Sequence, residues 1–372
     1  MRRLICCLLL LLMLPAAALG ESTAFTPNSP SPYYGQDASL NYWTLPMDIT
    51  DTEKVWQVLT APITVVNDGK GGVDQHKRQL TLYEEANTSS KKTGVVTNLT
   101  QGVHVLRYGK EWSYVECYSS SFHNSRVKKW NALVQGYIQT KYLTQVMPDQ
   151  HLGFVVDKLT QRLYVFMDGE LYDTLLCSTG LVNSSQPYNE TRSGEFLLQT
   201  PAVGPFPSGN LTCEYGIRFN GGDILHEIPH LTSSSGKFDY TSTERALGQR
   251  ASHGCIRIQR RKTPKESNMK WIWDNRRDEM KLLIWEDWQG RQIPYPDAGM
   301  TLYLDPDAKK SNRFYHTAAH CFYNEKMTYS PVTYEELHTV EAYITYEKCT
   351  WCAAPWKRDE IDRINQKYIP EN

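Results

Sequence analysis

The 372-residue sequence has almost no excess of either charge: 40 Lys and Arg against 41 Asp and Glu leave −1. Loss of Arg2 and Arg3 with a leader would bring this to −3. So even a balance gives no electrostatic footprint for nucleic acid, and no long basic run marks a membrane-surface patch. Apolar runs of membrane-spanning length are also lacking, so any membrane association has to come from the first residues. Cysteine is sparse. Of nine, Cys6 and Cys7 fall in the leader and seven remain, an odd number that leaves at least one thiol unpaired in an exported protein. What is present is a 40% hydrophobic, 12% aromatic chain, long enough to bury cores for two or three domains.

Residues 1–20 read as a signal peptide. Arg2 and Arg3 precede an apolar run from Leu4 to Leu14, and Ala18-Leu19-Gly20 offers a small-x-small cleavage site. The competing reading is an uncleaved anchor. Cys6 and Cys7 lie too early for a lipoprotein acylation site. Residues 21–50 follow as an extended linker, with Pro27, Pro30 and Pro32 in close succession.

The chemistry-bearing stretch is Ser252-His253-Gly254-Cys255-Ile256-Arg257-Ile258. Cysteine acyl transfer needs an exposed thiolate, a nearby imidazole and backbone N–H groups facing the developing oxyanion. Gly254 leaves bare backbone, so a substrate carbonyl can approach the N–H groups of Gly254 and Cys255. Upstream, the apolar run Gly222–Leu225 leads to His226-Glu227-Ile228-Pro229 and supplies a candidate base. Without the rest of the motif, a buried cysteine beside a hydrogen-bonded histidine would be read as structural.

Taken together, Leu247-Gly248, Ser252-His253-Gly254-Cys255-Ile256-Arg257 and the upstream His226-Glu227-Ile228-Pro229 resemble the signature of the YkuD-type L,D-transpeptidases, which cross-link or remodel bacterial peptidoglycan. The family spacer between the histidine and the Ser/Thr-His-Gly-Cys motif is shorter than the 25 residues found here. His226 is preferred as base and His230 is the alternative, with the Ser233-Ser234-Ser235-Gly236 region read as an inserted polar loop. The resemblance extends over residues 151–290. Phe154–Asp157, Gln161–Phe166 and Leu175–Gly180 read as a meander with an Asp168-Gly169 hairpin turn, and Gly194-Glu195-Phe196 follows. Trp271–Asp274 reads as a short helix and Met280–Ile284 as a closing strand.

Around this domain, residues 51–148 read as short strands at Leu80–Tyr83, Gly102–Leu106, Trp112–Val115 and Val134–Ile138. Their order resembles a bacterial SH3-like domain, placed to position wall substrates or to act only as a spacer. Residues 299–372 hold His316, Cys321, Cys349 and Cys352, with the ligand types and Cys-x-x-Cys spacing of a small structural zinc site. A disulfide and free thiols are the alternatives there, and His320 competes as fourth ligand. The expected fold class is therefore mostly β: an L,D-transpeptidase β-sandwich, preceded by a small SH3-like β-barrel and followed by a small Cys/His module.

The resemblance implies a mechanism without metal or organic cofactor. Cys255 attacks the carbonyl of the third residue of a peptidoglycan stem tetrapeptide and expels D-alanine. His226 handles the proton, and Gly254 and Cys255 supply oxyanion donors. A second stem's amine then resolves the thioester; water in its place would make the chain an L,D-carboxypeptidase. Ser252 and His253 shape the site, with a purely structural role open for His253. Arg257 is a candidate for binding a substrate carboxylate, or else faces solvent on its strand. Stem peptides are the expected partners, with no nucleic acid and membrane contact only through the signal segment. A cysteine peptidase and a non-catalytic wall-binding protein remain as other classes.

Overall fold

The computed structural model describes residues 49–123, 126–182, 185–285, 292–321, 326–349, 352 and 354–366. The signal peptide and nearly all of the linker expected at 21–50 lie outside the described residues. Among these residues no helix is long and apolar enough to cross a membrane. Strands make up 41% and helices 15%, so the fold is mostly β.

The centre is a nine-stranded sheet. Its order is Gly194–Leu197, Lys281–Trp285, Leu152–Asp157, Arg162–Met167, Glu170–Ser178, Ile256–Ile258, Asp223–Glu227, Gly216–Asn220 and Gln199–Val203. The two end strands are consecutive in sequence, with only Leu198 between them. One residue spans a few ångströms, so the sheet has to curl until its ends meet. The apolar side chains on its concave face, among them Phe154, Val165, Leu225, Ile256 and Leu282, fill the enclosed core. Phe196 and Phe219 meet edge to face across it, with centroids 5.4 Å apart. The Asp168-Gly169 turn is present as expected. Its φ values of 50° and 93° place both central residues in the left-handed region that a two-residue hairpin turn demands. The helix Met269–Asp274 and the strand Lys281–Trp285 stand where the sequence put a short helix and a closing strand.

The stretch read only as strands at 51–148 begins instead with a helix, Thr52–Thr60. Val55, Val58 and Leu59 recur at i, i+3 and i+4 and form one apolar face, and Asp51 caps the first turn by accepting from the Lys54 N–H at 3.3 Å. That face packs on the outside of the central sheet against Val155, Phe166, Leu283 and Trp285. The strand Leu152–Asp157 is thereby buried on both faces. The rest of the stretch forms a five-stranded antiparallel sheet in the order Lys92–Thr97, Gln79–Tyr83, Arg126–Gln139, Trp112–His123, His104–Arg107, with Ile63–Val66 pairing Leu143–Val146 beside it.

This sheet is joined to the central one by backbone. The Gly102 N–H donates to the Glu195 carbonyl and the Leu197 N–H to the Thr100 carbonyl, each at 2.8 Å. Beneath the seam lies a fully buried ionic group. Glu195 is 3.4 Å from His104 and 3.8 Å from Lys281, whose ammonium also donates to the carbonyls of Val58 and Ala61. At the other end of the chain, Ser330–Thr333, Thr301–Leu304, Phe314–His316 and Glu347–Lys348 make a four-stranded sheet around Leu302, Leu304, Tyr315, Tyr334 and Leu337.

Removing one member of a buried ion pair leaves the other uncompensated, at a cost of roughly 3–5 kcal/mol. Glu195→Ala should therefore lower the unfolding free energy of the full chain, read from the midpoint and slope of urea denaturation, by an amount in that range. A change below about 1 kcal/mol would place the pair with the weak surface class and show that the two carbonyls alone hold Lys281.

Candidate active site and a second Cys/His cluster

The site is built where Asp223–Glu227 pairs in parallel with Ile256–Ile258, in the register Leu225 with Ile256 and His226 with Arg257. Side chains alternate across a strand. Leu225 and Ile256 point into the core, so His226 and Arg257 share the opposite face, and Cys255 immediately precedes the second strand. The Ile224 N–H donates to the Cys255 sulfur.

The turn carrying Cys255 is pinned from below. Ala251 and Ser252 N–H groups donate to the Thr179 carbonyl at 2.8 and 3.0 Å, and the Leu181 N–H donates to the Ser252 carbonyl at 2.9 Å. The Ser252 hydroxyl donates to the Cys255 carbonyl at 2.5 Å and accepts the Gly254 N–H at 3.2 Å. Thr191 Oγ1 donates to the Gly254 carbonyl at 2.9 Å. Gly254 sits at φ +122°, and a Cβ there would lie 2.4 Å from Asp223 Oδ1, so only glycine fits. The Gly254 N–H, expected as an oxyanion donor, is thus already engaged in closing the turn. His253 is exposed.

His226 is buried. Its Nδ1–H donates to the Glu227 carbonyl at 2.5 Å, which leaves Nε2 as the basic nitrogen of the neutral ring. Burial pushes its pKa down to about 4, and the Arg257 charge adds to this. His230 is occupied elsewhere: Nε2 lies 3.3 Å from Glu214 Oε1, Nδ1 lies 3.3 Å from the Thr232 hydroxyl, and the ring stacks on Phe238 at 3.9 Å. The region read as a polar loop after Ser233 is partly ordered by this aromatic contact and by the helix Thr241–Arg245.

Cys255 is half-buried, and desolvation, followed by the Asp223 charge, pushes its thiol up to about 11. The exposed thiolate anticipated from the motif is therefore a protonated thiol at rest, because the enclosing turn removes the water that would stabilise the anion. Arg257 is also half-buried, and its Nε has no hydrogen-bond partner among the described residues.

Three groups were not legible in the sequence. Asp223 sits under Gly254, its carboxyl pushed up to about 6 by burial, and accepts from Asn220 Nδ2 at 3.2 Å. Phe206, on the hairpin Phe206–Ser208 and Leu211–Cys213, places its ring edge against His226 at 5.6 Å. Cys213, on the same hairpin, is buried within electrostatic reach of Cys255 and Arg257. Cys117 lies in the core of the N-terminal sheet and does not pair with Cys213. Cys177 is a core residue, as read from its strand.

At the far end of the chain, His316, Cys321, Cys349 and Cys352 converge, one ligand atom from each lying within 4.8 Å of the others. His320 is exposed and lies outside the group.

Asp223 titrates below the thiol, so above about pH 6 its negative charge opposes ionisation of Cys255. Asp223→Asn should therefore shift the pH midpoint for iodoacetamide alkylation of Cys255 downward from about 11. An unmoved midpoint would show that the thiol does not sense this carboxylate.

Comparison with known proteins bears on the central sheet. The family model for the L,D-transpeptidase catalytic domain (YkuD) matches residues 153–284. No curated protein matches the chain. Among solved structures, an L,D-transpeptidase (residues 123–326) from Xylanimonas cellulosilytica is 22% identical, over 36% of this chain and 60% of that one, with a TM-score of 0.26. An L,D-transpeptidase from Mycobacterium tuberculosis is 14% identical over 61% of this chain and 92% of that one, with a TM-score of 0.28. L,D-transpeptidase 3 of the same organism, carrying a faropenem-derived adduct, is 13% identical over 61% and 92%, with a TM-score of 0.29. The chain thus spans 60% of the length of the Xylanimonas relative and most of the mycobacterial ones. By the family match, residues 153–284 are an L,D-transpeptidase catalytic domain.

Proposed function

We propose that the protein is an exported cysteine L,D-transpeptidase that cross-links or remodels peptidoglycan through a thioacyl-enzyme on Cys255. The observation that carries this reading is the parallel pairing that sets His226, with Nδ1 fixed by the Glu227 carbonyl, on the strand beside Cys255. The resting pair is a neutral thiol and a neutral imidazole. The thiol proton therefore moves to His226 Nε2 as Sγ attacks the stem-peptide carbonyl, and no preformed ion pair is needed. The Cys255 N–H is the turn's remaining donor for the oxyanion, a contribution typically worth roughly 3 kcal/mol. Collapse breaks the C–N bond, and His226 returns the proton to the leaving amine of D-alanine. The acceptor amine of a second stem then attacks the thioester, loses its proton to His226, and the thiol is restored.

Arg257 has the chemistry to bind a carboxylate of the stem: a guanidinium on the face shared with His226, next but one to Cys255, with Nε unsatisfied. Ser252 and Gly254 act by shaping the turn. The five-stranded N-terminal sheet, read as an SH3-like unit, is hydrogen-bonded to the central sheet and serves to position wall substrate. Export through the leader at 1–20 delivers the chain to the compartment where stem peptides occur.

The full chain without its leader, incubated with defined tetrapeptide stems, should release D-alanine and yield cross-linked product by mass spectrometry. Hydrolysed tripeptide alone would make it a carboxypeptidase, and no release would overturn the enzymatic reading. Cys255→Ala should give no adduct with a carbapenem, the β-lactam class that acylates this family; an adduct would move the nucleophile elsewhere. His226→Gln should slow acylation by about 10²-fold or more, with His230→Gln much milder. The reverse ranking would transfer the role of base to His230.

A further inference from the structure

The C-terminal cluster brings together four potential ligands, none of which belongs to the proposed active site. His316 ends the strand Phe314–His316, Cys349 directly follows the strand Glu347–Lys348, and these two strands pair in parallel. Two ligands are thus fixed by the sheet. Cys352 stands three positions after Cys349 in sequence, and Cys321 lies on the segment after His316. All four are buried or half-buried.

The separations discriminate between chemistries. Cys321 Sγ and Cys349 Sγ are 3.8 Å apart. A disulfide needs about 2.0 Å, whereas two thiolates on a tetrahedral zinc with bonds of about 2.3 Å lie about 3.8 Å apart. Cys352 Sγ lies 3.8 Å from His316 Nδ1, close to the edge of about 3.6 Å that a zinc–nitrogen bond of about 2.1 Å gives. The Nδ1 nitrogen of His316 therefore faces the thiols.

The surroundings also suit a metal. The Thr317 N–H donates to Cys352 Sγ at 3.3 Å, and its hydroxyl to the Cys352 carbonyl at 2.9 Å, which orients a thiolate as outer partners of metal ligands do. The His316 ring is clamped by stacking on Tyr329 at 4.1 Å. Three thiolates around a divalent cation leave one net negative charge. Arg261, just beyond the strand Ile256–Ile258 of the catalytic domain, lies within electrostatic reach of Cys321 and Cys349 and supplies the opposite charge.

We infer that His316 through Nδ1, together with Cys321, Cys349 and Cys352, forms a closed tetrahedral zinc site with a structural role. Four protein ligands leave no open position for substrate or water, which separates it from a catalytic centre. Binding releases one proton from each thiol that arrives protonated, so affinity rises with pH. The site ties together the ends of two adjacent parallel strands, within electrostatic reach of Arg261.

Elemental analysis of the full chain without its leader, purified without chelator, should find about one zinc per chain. Ellman titration under denaturing conditions should count seven thiols from the described cysteines. Two fewer thiols with no metal would establish a disulfide and overturn the inference, as would a metal-free chain with all seven free. Cobalt exchanged into the site should show thiolate charge-transfer and strong tetrahedral d–d bands. Cys321→Ser and His316→Gln should each weaken zinc retention against a chelator by more than tenfold, with His320→Gln unchanged. Should a ligand variant fail to fold, the cobalt spectrum of the unaltered chain still decides, because octahedral bands would contradict a Cys3His site. Zinc bound while D-alanine release fails would leave this inference standing and sink only the proposed activity.

Discussion

The parallel pairing of Asp223–Glu227 with Ile256–Ile258 is the constraint on which the rest of the site depends. It joins segments separated by residues 228–255 and sets His226 opposite Arg257. Parallel strands need a long crossover, and the intervening stretch supplies it. That stretch is not slack. Thr243 donates to the Pro229 carbonyl at 2.7 Å, Tyr240 donates to Glu227 at 3.1 Å, and His230 is sandwiched with Phe238. The insertion therefore holds the strand that bears His226, and His230 contributes to this by being committed to Glu214.

What was legible in the sequence was local. The Asp-Gly turn between apolar runs, the heptapeptide around Cys255 and the Cys-x-x-Cys spacing all carry their geometry within a few residues. The family match covers residues 153–284, which include both the Asp-Gly turn and the heptapeptide. What stayed hidden depends on partners distant in sequence. Asp223 stood inside the run read as apolar; only the fold brings it under Gly254. Helix Thr52–Thr60 carries a readable apolar period, but its burial against the central sheet is tertiary. Cys255 was read as an exposed thiolate because a motif reports residue types and not their desolvation.

The N-terminal sheet reaches the site by two routes. Thr97 donates to Asn220 Oδ1 at 2.7 Å, and Asn220 donates to Asp223. On the other side, Arg192 is buried, donates to Ser120 Oγ at 3.1 Å and to the Trp130 carbonyl, and stacks over the Trp130 ring at 5.0 Å. Arg192 is one residue from Thr191, which holds the Gly254 carbonyl. The unit expected either to position wall substrates or to act as a spacer is thus connected by hydrogen bonds to the turn that carries Cys255.

Burial sets how such a site has to operate. Desolvation lowers the basicity of His226 and raises that of the Cys255 thiolate, and both shifts favour the neutral pair. An ion pair formed in advance would need more compensating charge than the site supplies: Arg257 opposes the imidazolium while favouring the thiolate, and desolvation together with the Asp223 charge outweighs that help. In the proposed reaction charge separation is therefore deferred to the moment of attack, when the negative charge would pass from sulfur toward the substrate oxygen. A substrate carboxylate seated on Arg257 would remove the cation that disfavours the imidazolium, so the base would strengthen only when the correct stem is bound. In the proposed arrangement the thiol stays neutral until substrate arrives, and an arginine that seated the substrate carboxylate would also raise the basicity of the histidine.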